Sequence, residues 1–137
     1  MTVDDHWRTL GVARACIATI PNLRAERANL VAELVTCGEP VANLTRLLGV
    51  NRQRVHQLAQ SATELVPGTV TAMWDRLEIV HALLVDGRGC YERQRAAMRA
   101  LVDAGVPRQE IAVKAGVTVA AIAYVLKEID RTKKASA

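Results

Sequence analysis

The sequence predicts an all-α protein built from two tandem copies of one helical module. Three observations predict it. Half of the 137 residues are apolar, yet the chain has only two Trp, two Tyr and no Phe, and such Leu-, Val-, Ile- and Ala-rich compositions suit closely packed helices. Apolar residues recur at three- and four-residue spacing through most of the chain, the period of a helix with one buried face. Finally, the sequence matches itself at a shift of 67 residues, the separation of Trp7 from Trp74. That shift also places Leu10 on Leu77, Leu34-Val35 on Leu101-Val102, Gly38 on Gly105, Pro40 on Pro107 and Gly49-Val50 on Gly116-Val117, with no gap. Coincidence at so many positions and a single offset points to an internal duplication.

Each element follows from local signals. Trp7, Leu10 and Arg14 with Ile17 predict a leading helix, and Trp74, Leu77, Val80 or His81, and Leu84 predict its counterpart. A supporting helix comes next, LRAERANLVAELVTCG (23–38) in one copy and YERQRAAMRALVDAG (91–105) in the other. Gly38 and Gly105 suit the left-handed residue that closes a helix, and Pro40 and Pro107 suit the first turn of the following one. Two short helices then complete each copy. Between the copies, SATELVPGT (61–69) contains Pro67-Gly68 and reads as a connection. The expected domains are therefore residues 1–62 and 71–137, joined by a linker at 63–70.

The short helices carry the most specific pattern. PVANLTRLLGVNRQRVHQL supplies Leu44, Thr45, Leu48, Gly49, Val50, Val55 and Leu58, and PRQEIAVKAGVTVAAIAYV supplies Ile111, Ala112, Ala115, Gly116, Val117, Ile122 and Val125. Two helices crossing at a tight turn need small or apolar residues at these places and a glycine in the turn. Both segments resemble the helix-turn-helix of bacterial and phage repressors and of resolvase and invertase DNA-binding domains, over about 20 residues per copy. Ala112 fits the close approach of the helices better than Thr45 does. The expected fold class is thus all-α, with two tandem helix-turn-helix modules related by the repeat.

The resemblance implies that the helix after each turn enters the major groove of double-stranded DNA. In the first copy Asn51, Arg52, Gln53, Arg54, His56 and Gln57 are left outward or at the helix start. Arginine offers paired donors to guanine, and Asn or Gln can grip adenine with one donor and one acceptor, so these six are the expected base-reading residues. Asn51 has a second possible role, as the helix N-cap. In the second copy the equivalent places hold Thr118, Val119, Ala120, Ala121, Ala123 and Tyr124, with Thr118 as the expected N-cap. Three roles stay open for this helix: weaker DNA contact through thymine methyl groups, docking of a protein or a second copy, or packing onto the first module. Phosphate contacts are expected from Arg46 in the first copy and from Arg108, Gln109, Lys114, Lys127, Arg131, Lys133 and Lys134 in the second.

Other chemistry is disfavoured. Ser61 and Ser136 are the only serines, no Gly-rich phosphate loop is present, and no Cys or His pair has zinc-ligand spacing, so neither an enzyme nor a cofactor nor a metal is expected. Cys16, Cys37 and Cys90 lie in apolar helical contexts and read as buried free thiols. No apolar run reaches a membrane span and MTVDDHW lacks signal-peptide features, so a cytoplasmic, nucleoid-associated protein is expected. The net charge of +4 is compatible with nucleic acid. The expected function is sequence-specific DNA binding as a bacterial or phage transcriptional repressor, reading an asymmetric bipartite site. The alternatives are an interaction protein whose second module binds itself or another protein, and an accessory factor in recombination, replication or segregation.

Overall fold

The computed structural model describes the backbone of residues 1–136 and the side chains of residues 1–129. Among these the chain is all-α, with six helices: α1 (Val3–Thr36), α2 (Val41–Leu48), α3 (Arg52–Gln60), α4 (Val70–Asp103), α5 (Arg108–Ala115) and α6 (Val119–Ser136).

Leading and supporting helices, expected as separate elements, are continuous. Each pair forms one helix of 34 residues, α1 and α4. The reason is a buried, mostly apolar stripe that never lapses. Along α4, Leu77, Val80, Leu84, Gly87, Cys90, Gln94, Met98 and Leu101 are buried or half-buried at spacings of three or four; along α1, so are Leu10, Ala13, Ile17, Ile20, Leu23, Arg27, Val31 and Leu34. Pro21 lies inside α1 on an exposed position. Its missing N–H weakens the helix there without interrupting the buried stripe.

Both long helices start and stop by the same devices. Thr2 and Thr69 accept at Oγ1 from the amides of Asp5 (3.2 Å) and Ala72 (3.1 Å), satisfying N–H groups that a helix start leaves free. At the far ends Gly38 and Gly105 adopt φ of 82° and 84°. There Glu39 N donates to Leu34 O and Gly38 N to Val35 O, and Val106 N and Gly105 N repeat both bonds onto Leu101 and Val102, all at 3.0 Å. This paired closure requires a left-handed residue, which glycine supplies without steric cost. Pro40 and Pro107 sit one step earlier than expected, as N-cap residues of α2 and α5.

The expected partition at residues 63–70 is corrected. The chain forms two compact units, Thr19–Asp86 and Met1–Ala18 with Gly87–Ala137. In the first, Met73, Leu77 and Val80 of α4 join Leu30, Val31, Leu34, Leu44, Leu48, Val55 and Leu58 in one core. In the second, Leu10 of α1 joins Ala97, Met98, Leu101, Ile111, Ala112, Ala115, Ile122 and Leu126. Each half of the sequence therefore lends its leading helix to the short helices of the other half. The connecting segment belongs within the first unit, where Asn29 Oδ1 accepts from the amides of Thr63 (2.9 Å) and Glu64 (3.3 Å).

The cysteine expectation is also corrected. Cys16 and Cys90 form a disulfide with Cα atoms 6.3 Å apart, within the second unit, and Cys37 is free and exposed. Residues 74 positions apart in sequence meet because α1 packs along α4 within that unit.

Candidate nucleic-acid interface

The first candidate surface lies on the α2–α3 pair. Leu44, Leu48, Val55 and Leu58 are buried and fix both helices to their core. Gly49 closes α2 at φ 68°, its N–H donating to Thr45 O. The orientation of α3 then follows from its two buried positions. Arg52, Gln53, Arg54, His56 and Gln57 are all exposed, as is Gln60. Gln60 was absent from the expected set, although its place one helical turn after His56 puts it on the same face.

Asn51 is the N-cap: its Oδ1 accepts from Arg54 N at 2.8 Å. That oxygen is committed to the backbone, so Asn51 fixes the start of the helix. Arg52 and Arg54 occupy the first turn, and α3 has no acidic residue in that turn. Positive side chains there oppose the helix dipole, a local cost of a few tenths to about 1 kcal/mol each. Among the described residues neither arginine forms an ion pair. Two unpaired guanidinium groups at the positive end of a helix form a surface suited to an anion.

The second candidate surface lies on the α5–α6 pair. The chain bends by 100° between these helices, inside the range of about 90–120° for crossed helices joined by a short turn. Gly116 closes α5 at φ 73°. A side chain there would also meet the Arg14 guanidinium, whose Nε lies 3.0 Å from the position of a Cβ. Arg14 donates to Val113 O (3.3 Å) and Lys114 O (3.0 Å), satisfying carbonyls at the helix end. This clamp was not visible in the sequence, because Arg14 and Gly116 come from opposite halves of the chain.

Thr118 caps α6, its Oγ1 accepting from Ala121 N at 3.1 Å. Val119, Ala120 and Tyr124 are exposed, and Ala121 and Ala123 are half-buried over the core residues Ile122 and Leu126. The Tyr124 hydroxyl donates to Glu128 Oε1 at 3.1 Å. Val113, at the surface of α5, is 74% exposed.

Among the candidate phosphate contacts, Arg46, Arg108, Gln109, Lys114 and Lys127 are exposed. The side chains of Arg131, Lys133 and Lys134 lie outside the described residues. The fold brings Arg46 together with the α3 residues in one unit, and Arg108, Gln109, Lys114 and Lys127 together with α6 in the other. Trp7 and Trp74 serve the cores instead: each packs against its unit's apolar cluster, and Trp74 Nε1 donates to Glu39 Oε1 at 2.7 Å.

No family model, curated protein or solved structure matches this chain. The site must therefore be read from its own chemistry. Among the described residues no three His, Cys, Asp or Glu side chains converge to hold a metal ion, and no single helix is long and apolar enough to cross a membrane.

Proposed function

We propose that this chain is a sequence-specific double-stranded DNA-binding protein that uses two unlike helix-turn-helix modules, α2–α3 and α5–α6, as reading heads. One observation carries the reading. Arg52, Gln53, Arg54, His56 and Gln57 are exposed together on a helix held by a left-handed glycine turn and two buried side chains. These are the side chains whose donor and acceptor patterns distinguish base pairs in the major groove. Their cost to helix stability is offset when phosphate and base edges approach the helix start.

On this reading the protein acts at the bacterial or phage chromosome as a repressor of transcription, without a catalytic step. Two heads on one chain engage a bipartite site whose halves differ, because the exposed residues of α3 and α6 differ. Tethering raises the effective concentration of the second contact once the first is made. A role in recombination, replication or segregation would use the same contacts.

The test is titration of a selected duplex by fluorescence anisotropy. Arg52→Ala and Arg54→Ala are each expected to weaken specific binding by on the order of 1–3 kcal/mol and to relax base preference. Unchanged affinity for the selected site in both variants would rule out α3 as the reader. A second reading, an interaction protein that docks a partner or a second copy through α6, is favoured by the exposed Val113, Val119 and Tyr124. Light scattering with and without DNA separates the two.

A further inference from the structure

Resting on the DNA-binding reading, we infer that α6 selects its half-site through the C5-methyl groups of thymine. The exposed residues of α3 are Arg52, Gln53, Arg54, His56, Gln57 and Gln60. A shift of 67 residues places Val119, Ala120, Ala121, Ala123, Tyr124 and Lys127 at the same positions of α6. The two helices are framed alike, with an αL glycine before each and side-chain caps at Asn51 and Thr118. What changes is the contact chemistry.

On α6 the hydroxyl oxygens in this region are committed within the helix. Thr118 Oγ1 holds the Ala121 amide and the Tyr124 hydroxyl is given to Glu128. The side chains left at the front, Val119 at 44% exposed and Ala120, present carbon. Beside them the Tyr124 ring is 64% exposed. Between the Thr118 cap and Lys127, the front of this face therefore offers base edges mainly carbon. The one apolar group that a base pair presents in the major groove is the thymine methyl.

The occupant is argued from charge. Arg108, Lys114 and Lys127 are exposed on α5 and α6 against two carboxylates on those helices among the described residues, the exposed Glu110 and the half-buried Glu128. An apolar strip within a positive frame fits a polyanion that carries methyl groups. A second copy of the chain would bring the same positive frame against it. Small side chains at Ala120 and Ala123 also allow the helix backbone to come close to the groove floor.

The experiment removes the methyl from the DNA, so folding of the protein is not at issue. A duplex selected from random sequence is prepared with 2′-deoxyuridine in place of thymidine in one half-site at a time, and binding is titrated with the full chain. Loss of one methyl contact is expected to weaken binding about fourfold, the value for one buried hydrocarbon group. The loss is confined to the half-site that is insensitive to Arg52→Ala, and Val119→Ala with Tyr124→Ala removes the discrimination. Equal affinity for thymine and uracil duplexes, with Arg52→Ala still weakening binding, would overturn the inference and leave the DNA reading intact. Failure to select any duplex would defeat the DNA reading itself. A dimer in light scattering that Val119→Ala and Tyr124→Ala dissociate, with uracil without effect, would make a second copy the occupant and likewise overturn it.

Discussion

Leu77→Ala tests the exchange of leading helices. Leu77 belongs to the second half of the sequence, yet it is fully buried in the core that holds α2 and α3. Truncation to alanine leaves a cavity, and at a fully buried leucine this costs about 3 kcal/mol. Opening of that unit becomes roughly 150-fold more favourable, at about 1.4 kcal/mol per tenfold change. Native-state hydrogen exchange reads this locally, because each cooperative unit reports its own opening free energy. Amides of residues 41–60 should lose about two orders of magnitude of protection, while those of 108–126 change little. Leu10→Ala, buried with α5 and α6, should give the mirror image. The reverse pattern, with Leu77→Ala deprotecting 108–126, would mean that each half folds on its own leading helix and would refute the exchange. Equal loss in both regions would refute the division into two units.

Three further outcomes follow from the same contacts. Reduction of the Cys16–Cys90 disulfide, which closes a separation of 74 residues, should lower stability by about 4 kcal/mol through the freedom restored to the unfolded chain; a denaturation midpoint unmoved by dithiothreitol would contradict this. Gly49→Ala should cost about 1 kcal/mol for its left-handed backbone, and Gly116→Ala more, since its Cβ would also displace the Arg14 guanidinium. Equal losses in thermal melts would remove the role given to that clamp. The Arg76 guanidinium, hydrogen-bonded to Glu26 at 2.5 and 2.9 Å, holds the Glu26 carboxyl below its usual value of 4.5, partly offset by burial. Because the folded state depresses this value, the pair's contribution is present above about pH 4.5 and is lost as pH falls through the lower folded value. Both side chains are partly exposed, so solvent screening keeps the effect below about 1 kcal/mol. Glu26→Gln should flatten that part of the acid stability profile, and an unaltered profile would show that the pair contributes nothing.

Much of this fold is legible in the sequence, because helix ends are local chemistry. Gly38-Glu39-Pro40 and Gly105-Val106-Pro107 announce their turns, and the exposed face of α3 follows from the positions of Val55 and Leu58. Leading and supporting helices were expected as separate elements, whereas the buried stripe runs without a break through Pro21 in α1 and through Gly87 and Gly89 in α4. The helix exchange was not legible either. Leu10 and Leu77 stand at equivalent positions of similar helices, so apolar patterning alone cannot tell which core receives which. The disulfide and the Arg14 clamp depend on that exchange and were invisible with it. Asn51 illustrates a finer limit: its residue type suits both a cap and an adenine contact, and the 2.8 Å cap bond from Arg54 N to its Oδ1 is seen only in the structure.

The claim that α3 reads DNA is tested most directly by selecting bound duplexes from a random pool in parallel with the unaltered chain and with a variant carrying both Arg52→Ala and Arg54→Ala. The account predicts a defined sequence for the first. It predicts that the variant loses base preference across one contiguous half of that sequence while keeping it in the other. The same sequence recovered from both proteins, or none from the unaltered chain, would contradict it.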